Sequence, residues 1–188
     1  MLDKAVFDAA LLYTTDRTAF LRRYSKNHLA RGLLNEIFLE SESRPDLAER
    51  VAIYALGHSP SVVKKGYDGW TRHGRPVEAK VRNFVSVDGA FPSSQTSTTI
   101  NDVSRSIVDR YKQDNPLFIF PYFYDGHLST IFAVDYKHLD QYYEKCLANP
   151  KKGRISFKLG ASSWLPHARR VFSHQDQSIL NYLPRCLR

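Results

Sequence analysis

The sequence predicts a single α/β domain built on a mixed central sheet flanked by helices. Two observations carry that expectation. Segments with helical apolar spacing are interleaved with short aromatic and β-branched runs bounded by turn residues, the pattern of sheet strands between helices. No stretch rich in Gly, Ser or Pro divides the 188 residues, a length that builds one substantial core more readily than two.

Taken in order, Phe20, Leu21, Tyr24, Leu33, Leu34, Ile37 and Phe38 recur at helical spacing from Asp16 to about Leu39, with Arg17, Arg22, Arg23, Lys26 and Arg31 among them. A second helix fits 45–56, with Pro45 in its first turn and Gly57 just past its end. Then the pattern changes: Gly66-Tyr-Asp-Gly-Trp70, Arg72-His-Gly-Arg-Pro76 and Val77-Glu-Ala-Lys-Val81 read as strand, turn, strand. The polar stretch from Phe91 to Thr99 reads as a loop, and Ile100, Val103, Ile107, Val108 and Tyr111 as one apolar helix stripe that Pro116 closes. Leu117–Tyr124 and Ser129–Val134 are strand-like and joined at Asp125-Gly126, a hairpin signal. Lys137–Ala148 reads as helix, Arg154–Leu159 as strand and His174–Leu183 as a last short helix.

A formal net charge of +8 on so small a chain points to a polyanionic partner, of which nucleic acid is the commonest. Cys146 and Cys186 stand far apart with no His or Cys at zinc spacing, which argues against a structural zinc site and a disulfide framework. No signal-like start and no membrane-length apolar run is present, so a cytoplasmic setting is expected, with no membrane partner.

The chemistry concentrates at Asp68, Glu78 and Lys80. Alternation on a strand puts Glu78 and Lys80 on one face with Ala79 turned away, and the turn at 72–76 can bring Asp68 beside Glu78. Two carboxylates and the Ala79 carbonyl would give magnesium part of an oxygen shell, with water completing it. Lys80 would orient a water, promote its deprotonation or stabilise developing charge. A bare Glu-x-Lys hairpin is equally compatible with ordinary surface charges.

Asp125, Asp135 and Lys137 repeat the spacing almost perfectly. There the Asp-Gly pair is itself the turn, and an uninterrupted strand would carry Asp135 roughly 30 Å from Asp125, so the two cannot share an ion. Asp135 is expected instead to cap the following helix. Of the seven histidines, His73, His127, His167 and His174 lack the partners a His-metal nuclease uses and read as structural or surface groups. Trp70 and Trp164 read as core or interface anchors.

Over about 66–160 the chain resembles the PvuII-type restriction endonucleases of the PD-(D/E)xK nuclease superfamily. The resemblance rests on Asp68, nine residues, Glu78-Ala-Lys80, then a polar loop, Arg110-Tyr-Lys-Gln113, an aromatic strand pair, and the runs Leu139-Asp-Gln-Tyr-Tyr-Glu-Lys145 and Asn149-Pro-Lys151. It implies a restriction-endonuclease-like fold and a homodimer cutting double-stranded DNA at a short palindrome, with Mg2+ and no other cofactor. Asp68, Glu78 and Ala79 would hold the metal, Lys80 would be catalytic and Tyr111 would stand near the metal. Asn149 and the 93–101 loop, with Ser94, Gln95, Thr96 and Asn101, would read bases. Arg75, Arg82, Lys151 and Lys152 could equally hold phosphates or be plain surface charges. Residues 1–60 would be mainly helical and suited to dimerisation, 61–160 the catalytic and recognition core, and 161–188 a terminal segment. Lys65 stands where the family carries an acid, and the loop lacks the family's histidines, so no target sequence follows. A structure-selective nuclease on the same core, which would prefer branched DNA, and a DNA-binding module that does not cut, are the alternatives.

Overall fold

The computed structural model describes residues 4–24, 45–61, 66–84, 97–148 and 155–188. Helix α1 (Lys4–Thr15) is followed at once by α2 (Arg17–Arg23), because the Asp16 carboxylate accepts the Ala19 N–H at 2.8 Å and caps the new helix. Of the helix expected from Asp16 to about Leu39, α2 covers Arg17–Arg23 with Tyr24 as its C-cap, and residues 25–39 of that expectation lie outside the described residues. Helix α3 (Pro45–Ala55) matches the expected element closely, and Gly57 closes it at φ +70°, a left-handed angle that glycine adopts at little cost.

The strands are β1 (Ser59–Pro60), β2 (Gly69–Trp70), β3 (Pro76–Ala79), β4 (Arg82–Phe84), β5 (Thr98–Ile100), β6 (Leu117–Tyr124), β7 (His127–Asp135), β8 (Phe157–Leu159) and β9 (Arg169–Ser173). Seven form one mixed sheet in the order β1-β2-β3-β6-β7-β9, with β4 also beside β6, and β5 pairs with β8 in a separate ribbon. The pairs are antiparallel except that β3 and β4 run parallel to β6. Val77 faces Leu117 and Arg82 faces Tyr122, the same offset of forty, so β3 and β4 are one strand line interrupted at Lys80 and Val81. Lys80 N–H still donates to the Ile119 carbonyl at 2.9 Å. In a parallel ladder the return bond to the Lys80 carbonyl would come from residue 121, and Pro121 has no N–H to give. The strand expected over 77–81 thus stops at Ala79 because of Pro121 on the neighbouring strand. The proline does no harm toward β7, since its nitrogen lies on the β3–β4 side.

β6 and β7 turn at Asp125-Gly126, both in left-handed backbone (φ +44° and +72°), the conformation that makes Asp-Gly a hairpin signal. Alternation along β6 then sorts the core into two layers. Leu117, Ile119 and Phe123 join Val77, Ala79 and Ile131 against the helices α1 to α3. Phe118, Phe120, Tyr122 and Tyr124 face the other way, onto α4 (Arg105–Asp114), α5 (Asp140–Ala148) and the C-terminal elements α6 (Ala161–Trp164) and α7 (Gln177–Leu180). Trp164 is fully buried and stacks on Phe120 at 4.3 Å, which bears out its expected core role. Trp70 is 44% exposed and is not a core residue.

Ile100 and Val103 do not belong to the α4 stripe. Ile100 pairs with Phe157 in the β5–β8 ribbon, Asp102 bends the chain at φ +54°, and α4 starts only after Ser104, whose hydroxyl accepts the Ile107 N–H. Asp135 makes no side-chain cap to the following 3-10 turn; it pairs with Arg75 at 2.7 Å, a stronger partner than an N–H. The expected final helix shortens to α7, and β9 and α6 occupy ground where no element was expected. Among the described residues, no helix is long and apolar enough to cross a membrane.

Candidate active site

The hairpin of β2 and β3 carries the predicted constellation. Gly69 faces Val77 and Trp70 faces Pro76, so the same register brings Asp68 opposite Glu78. The turn between them is held from several sides. Arg75 donates through Nε and a terminal nitrogen to the Asn115 carbonyl (2.9 and 2.7 Å), besides its ion pair with Asp135. This structural use takes up a side chain that the sequence left open as a phosphate ligand.

Asp68 does what a further residue of β2 would have done: its Oδ2 accepts the Ala79 N–H at 2.8 Å. N–H and C=O of one strand residue leave on the same edge, so the Ala79 carbonyl also points toward Asp68. Glu78 is 8% exposed, one carboxylate oxygen receives Lys80 Nζ at 2.6 Å, and the other, Oε2, is buried without a hydrogen-bond partner. Burial first, then the neighbouring Glu78 charge, pushes the Asp68 carboxyl up to about 6, against the pull of Lys80 and the Ala79 N–H. Burial pushes the Lys80 ammonium down, but Glu78 and Asp68 together outweigh it, so its net shift is upward and it is cationic at neutral pH.

Helix α4 supplies the wall. The Tyr111 hydroxyl is driven well above its usual range by burial and then by the charge of the Glu78 carboxylate it faces. Tyr67 stacks on Tyr111 at 5.9 Å between ring centres and donates to Asp114 at 2.8 Å, and the Arg110 guanidinium lies 4.8 Å from the Tyr67 ring centre. A cavity of about 590 Å³ opens beside these groups, lined among others by Glu49, Glu78, Lys80, Asn101, Arg110 and Tyr111.

An orphaned carboxylate oxygen and a second carboxyl whose charge is disfavoured by burial and by its neighbour form a site short of positive charge, which a hard divalent cation would satisfy. Among the described residues, no group of three or more His, Cys, Asp and Glu side chains is arranged to hold a metal. An ion at Asp68 and Glu78 would therefore complete its shell with the Ala79 carbonyl and water, the habit of magnesium. The donor set fits that ion.

Asp68, Glu78, Ala79, Lys80 and Tyr111 are thus gathered at one place. Asn101 is exposed at the cavity mouth, and Arg82 lies two residues beyond Lys80 with its guanidinium 5.8 Å from the Phe84 ring centre. Ser94, Gln95, Thr96, Asn149 and Lys151 lie outside the described residues. Thr98–Ile100, expected within the recognition loop, are strand β5, because Thr98 and Ile100 turn inward. His73 and His167 are exposed, His127 is half-buried and His174 buried, none of them in the lining of this cavity.

Sequence reasoning missed Glu49 and Arg50 on α3. Glu49 lines the cavity and its charge raises Lys80, while Arg50 lowers Asp68. The available signal was a charged pair between Ala48 and Val51, both buried, at the border of the helix's apolar face. No known family model matches the chain, and no curated protein matches it significantly.

Proposed function

We propose that the chain is a magnesium-dependent endonuclease of double-stranded DNA, a restriction enzyme acting as a homodimer at a short palindromic site. The observation that carries this reading is the meeting of Asp68, Glu78 and Lys80 around a buried carboxylate oxygen that has no partner. Two carboxylates and a lysine on one sheet edge are the minimal equipment for phosphodiester hydrolysis. The basic balance of +8 suits a polyanionic substrate, and the resemblance over 66–160 supplies the dimer and the palindrome, whose twofold axes would coincide.

When bound, magnesium would neutralise charge at the attacked phosphate and make a bound water more acidic. Asp68 and Glu78, with the Ala79 carbonyl, would hold it. Lys80, beside the two carboxylates, would orient the attacking water, promote its deprotonation or stabilise charge growing on the phosphate oxygens. Tyr111 faces Glu78, and Tyr67 stacks behind Tyr111.

Plasmid incubated with the protein and magnesium should give discrete, reproducible fragments. Lys80→Ala should cut at least about a hundredfold more slowly, in the range for loss of one charge-stabilising donor, while binding duplex as the natural chain does. Intact plasmid across divalent metals and diverse DNA would overturn the reading, as would full activity in Lys80→Ala.

A further inference from the structure

The hairpin that carries Asp68 also carries an exposed indole. Trp70 is 44% exposed, the second most open of the large apolar side chains among the described residues, on a strand whose neighbour Gly69 is buried. A single exposed apolar side chain does not by itself mark a binding surface; what distinguishes Trp70 is its place beside the site. Its ring stands edge-on to Tyr67 at 5.8 Å, Tyr67 stacks on Tyr111, and Tyr111 faces Glu78. Trp70 is thus the outer end of an aromatic series whose inner end touches the catalytic carboxylate. Beyond it the turn is basic: Arg72 and His73 are both exposed, with Arg72 Nε donating to His73 at 3.1 Å.

Position then decides what the indole meets. Residues two apart on a strand share a face and lie roughly 7 Å apart. Each nucleotide advances a DNA strand by about 3.4 Å along the axis. A residue that far from the carboxylates is within reach of nucleotides one or two steps from a phosphate held at them.

We propose that Trp70 and Arg72 form a DNA-contact element on the flank of the active site, the indole packing on a sugar or base next to the attacked phosphate and Arg72 meeting the backbone beyond it. The inference rests on the nuclease reading above and names a positioning surface that the motif residues do not include. Apolar and cationic side chains side by side fit a nucleic acid, which offers flat ring faces and phosphates together. The net charge of +8 and the place beside a site proposed to hydrolyse phosphodiesters favour a nucleic acid over a protein partner.

The chain has two tryptophans, and Trp164 is fully buried on Phe120, so accessible indole fluorescence reports Trp70. With the full chain in chelator and mixed-sequence duplex DNA at low salt, acrylamide quenching should fall on DNA binding to the level of a Trp70→Phe variant, which retains Trp164 alone. Trp70→Ala should bind duplex about tenfold more weakly, as for loss of a base-stacking ring, and Arg72→Ala should lower the salt slope of binding by about one. Trp70→Phe keeps a ring against Tyr67 and should retain most of the affinity, which separates contact from folding. Duplex binding with unchanged quenching and unchanged Trp70→Ala affinity would overturn the inference and leave the nuclease reading standing. Absence of duplex binding by the natural chain would overturn both.

Discussion

The carboxyl of Asp68 shows what the site costs its own fold. Its value of about 6 lies above that of an exposed aspartate because burial and Glu78 both oppose its charge. A raised carboxyl stabilises the fold below the ordinary aspartate value near 4, and that contribution is lost as pH rises through about 6. At pH 8, without divalent metal, the folded chain therefore carries an ionised Asp68 at a penalty. Asp68→Asn removes the charge and retains an oxygen for the Ala79 N–H. It should stabilise the metal-free chain at pH 8 by about 1–3 kcal/mol, a few degrees in melting temperature for a chain of this size. The gain should vanish at pH 4, and magnesium should raise the melting temperature of the natural chain but not of the variant. Thermal melts at the two pH values, with chelator or magnesium, check all three. A variant less stable than the natural chain at pH 8 would show that Asp68 is held by its hydrogen bond and not strained by its charge.

At the scale of elements, the placement of Asp68 depends on how closely β2 approaches β1 and α3. A Cβ on Gly69 would stand 2.7 Å from the Ser59 carbonyl oxygen and 3.0 Å from Ile53 Cγ2, and the backbone oxygen cannot rotate away. Gly69→Ala must push β2 off its neighbour, taking Asp68 and Trp70 with it. Urea melts should show a loss of about 1–3 kcal/mol, the usual cost of overpacking, together with a diminished response to magnesium. Gly74→Ala is the matched control: its φ of +78° strains any side chain, yet nothing lies within 4 Å of the new Cβ. It should lose about 1–2 kcal/mol and keep the magnesium response. Elements were legible where the cause was local. Asp125-Gly126 announces a hairpin through the left-handed angles it must adopt, and the turn at 72–75 sets the register of Asp68 and Glu78. The break after Ala79 was illegible because Pro121, on another strand, causes it. β9 was illegible because Arg169, Arg170 and Val171 are all exposed and show no alternation. β5 looked like a polar loop because Thr98 buries a hydroxyl side chain in the cavity wall.

Across the whole molecule, the sheet carries a packed apolar layer on each face, and the site opens where β3 meets α4. Val77 and Ala79 anchor β3 against α1 to α3, while Glu78, between them, faces the cavity beside α4. One strand thus fixes the Glu78 carboxylate by burying both of its neighbours. Charge is distributed less locally: the excess of +8 belongs to the whole chain, and Arg105 and Lys112 spend theirs on Glu144. If duplex DNA is the partner, association must release counterions, so the logarithm of the binding constant should fall linearly with the logarithm of salt concentration. Six to ten phosphate contacts across a dimer would weaken binding about 10³- to 10⁵-fold between 50 and 200 mM salt. Fluorescence anisotropy of a labelled mixed-sequence duplex in chelator measures that slope without cleavage. A binding constant that barely responds to salt would mean that the basic excess does not meet a phosphate backbone, and the substrate class would have to be sought elsewhere. A steep slope that Lys80→Ala leaves nearly unchanged would assign the recognition of DNA to the broad surface, and only its hydrolysis to the hairpin.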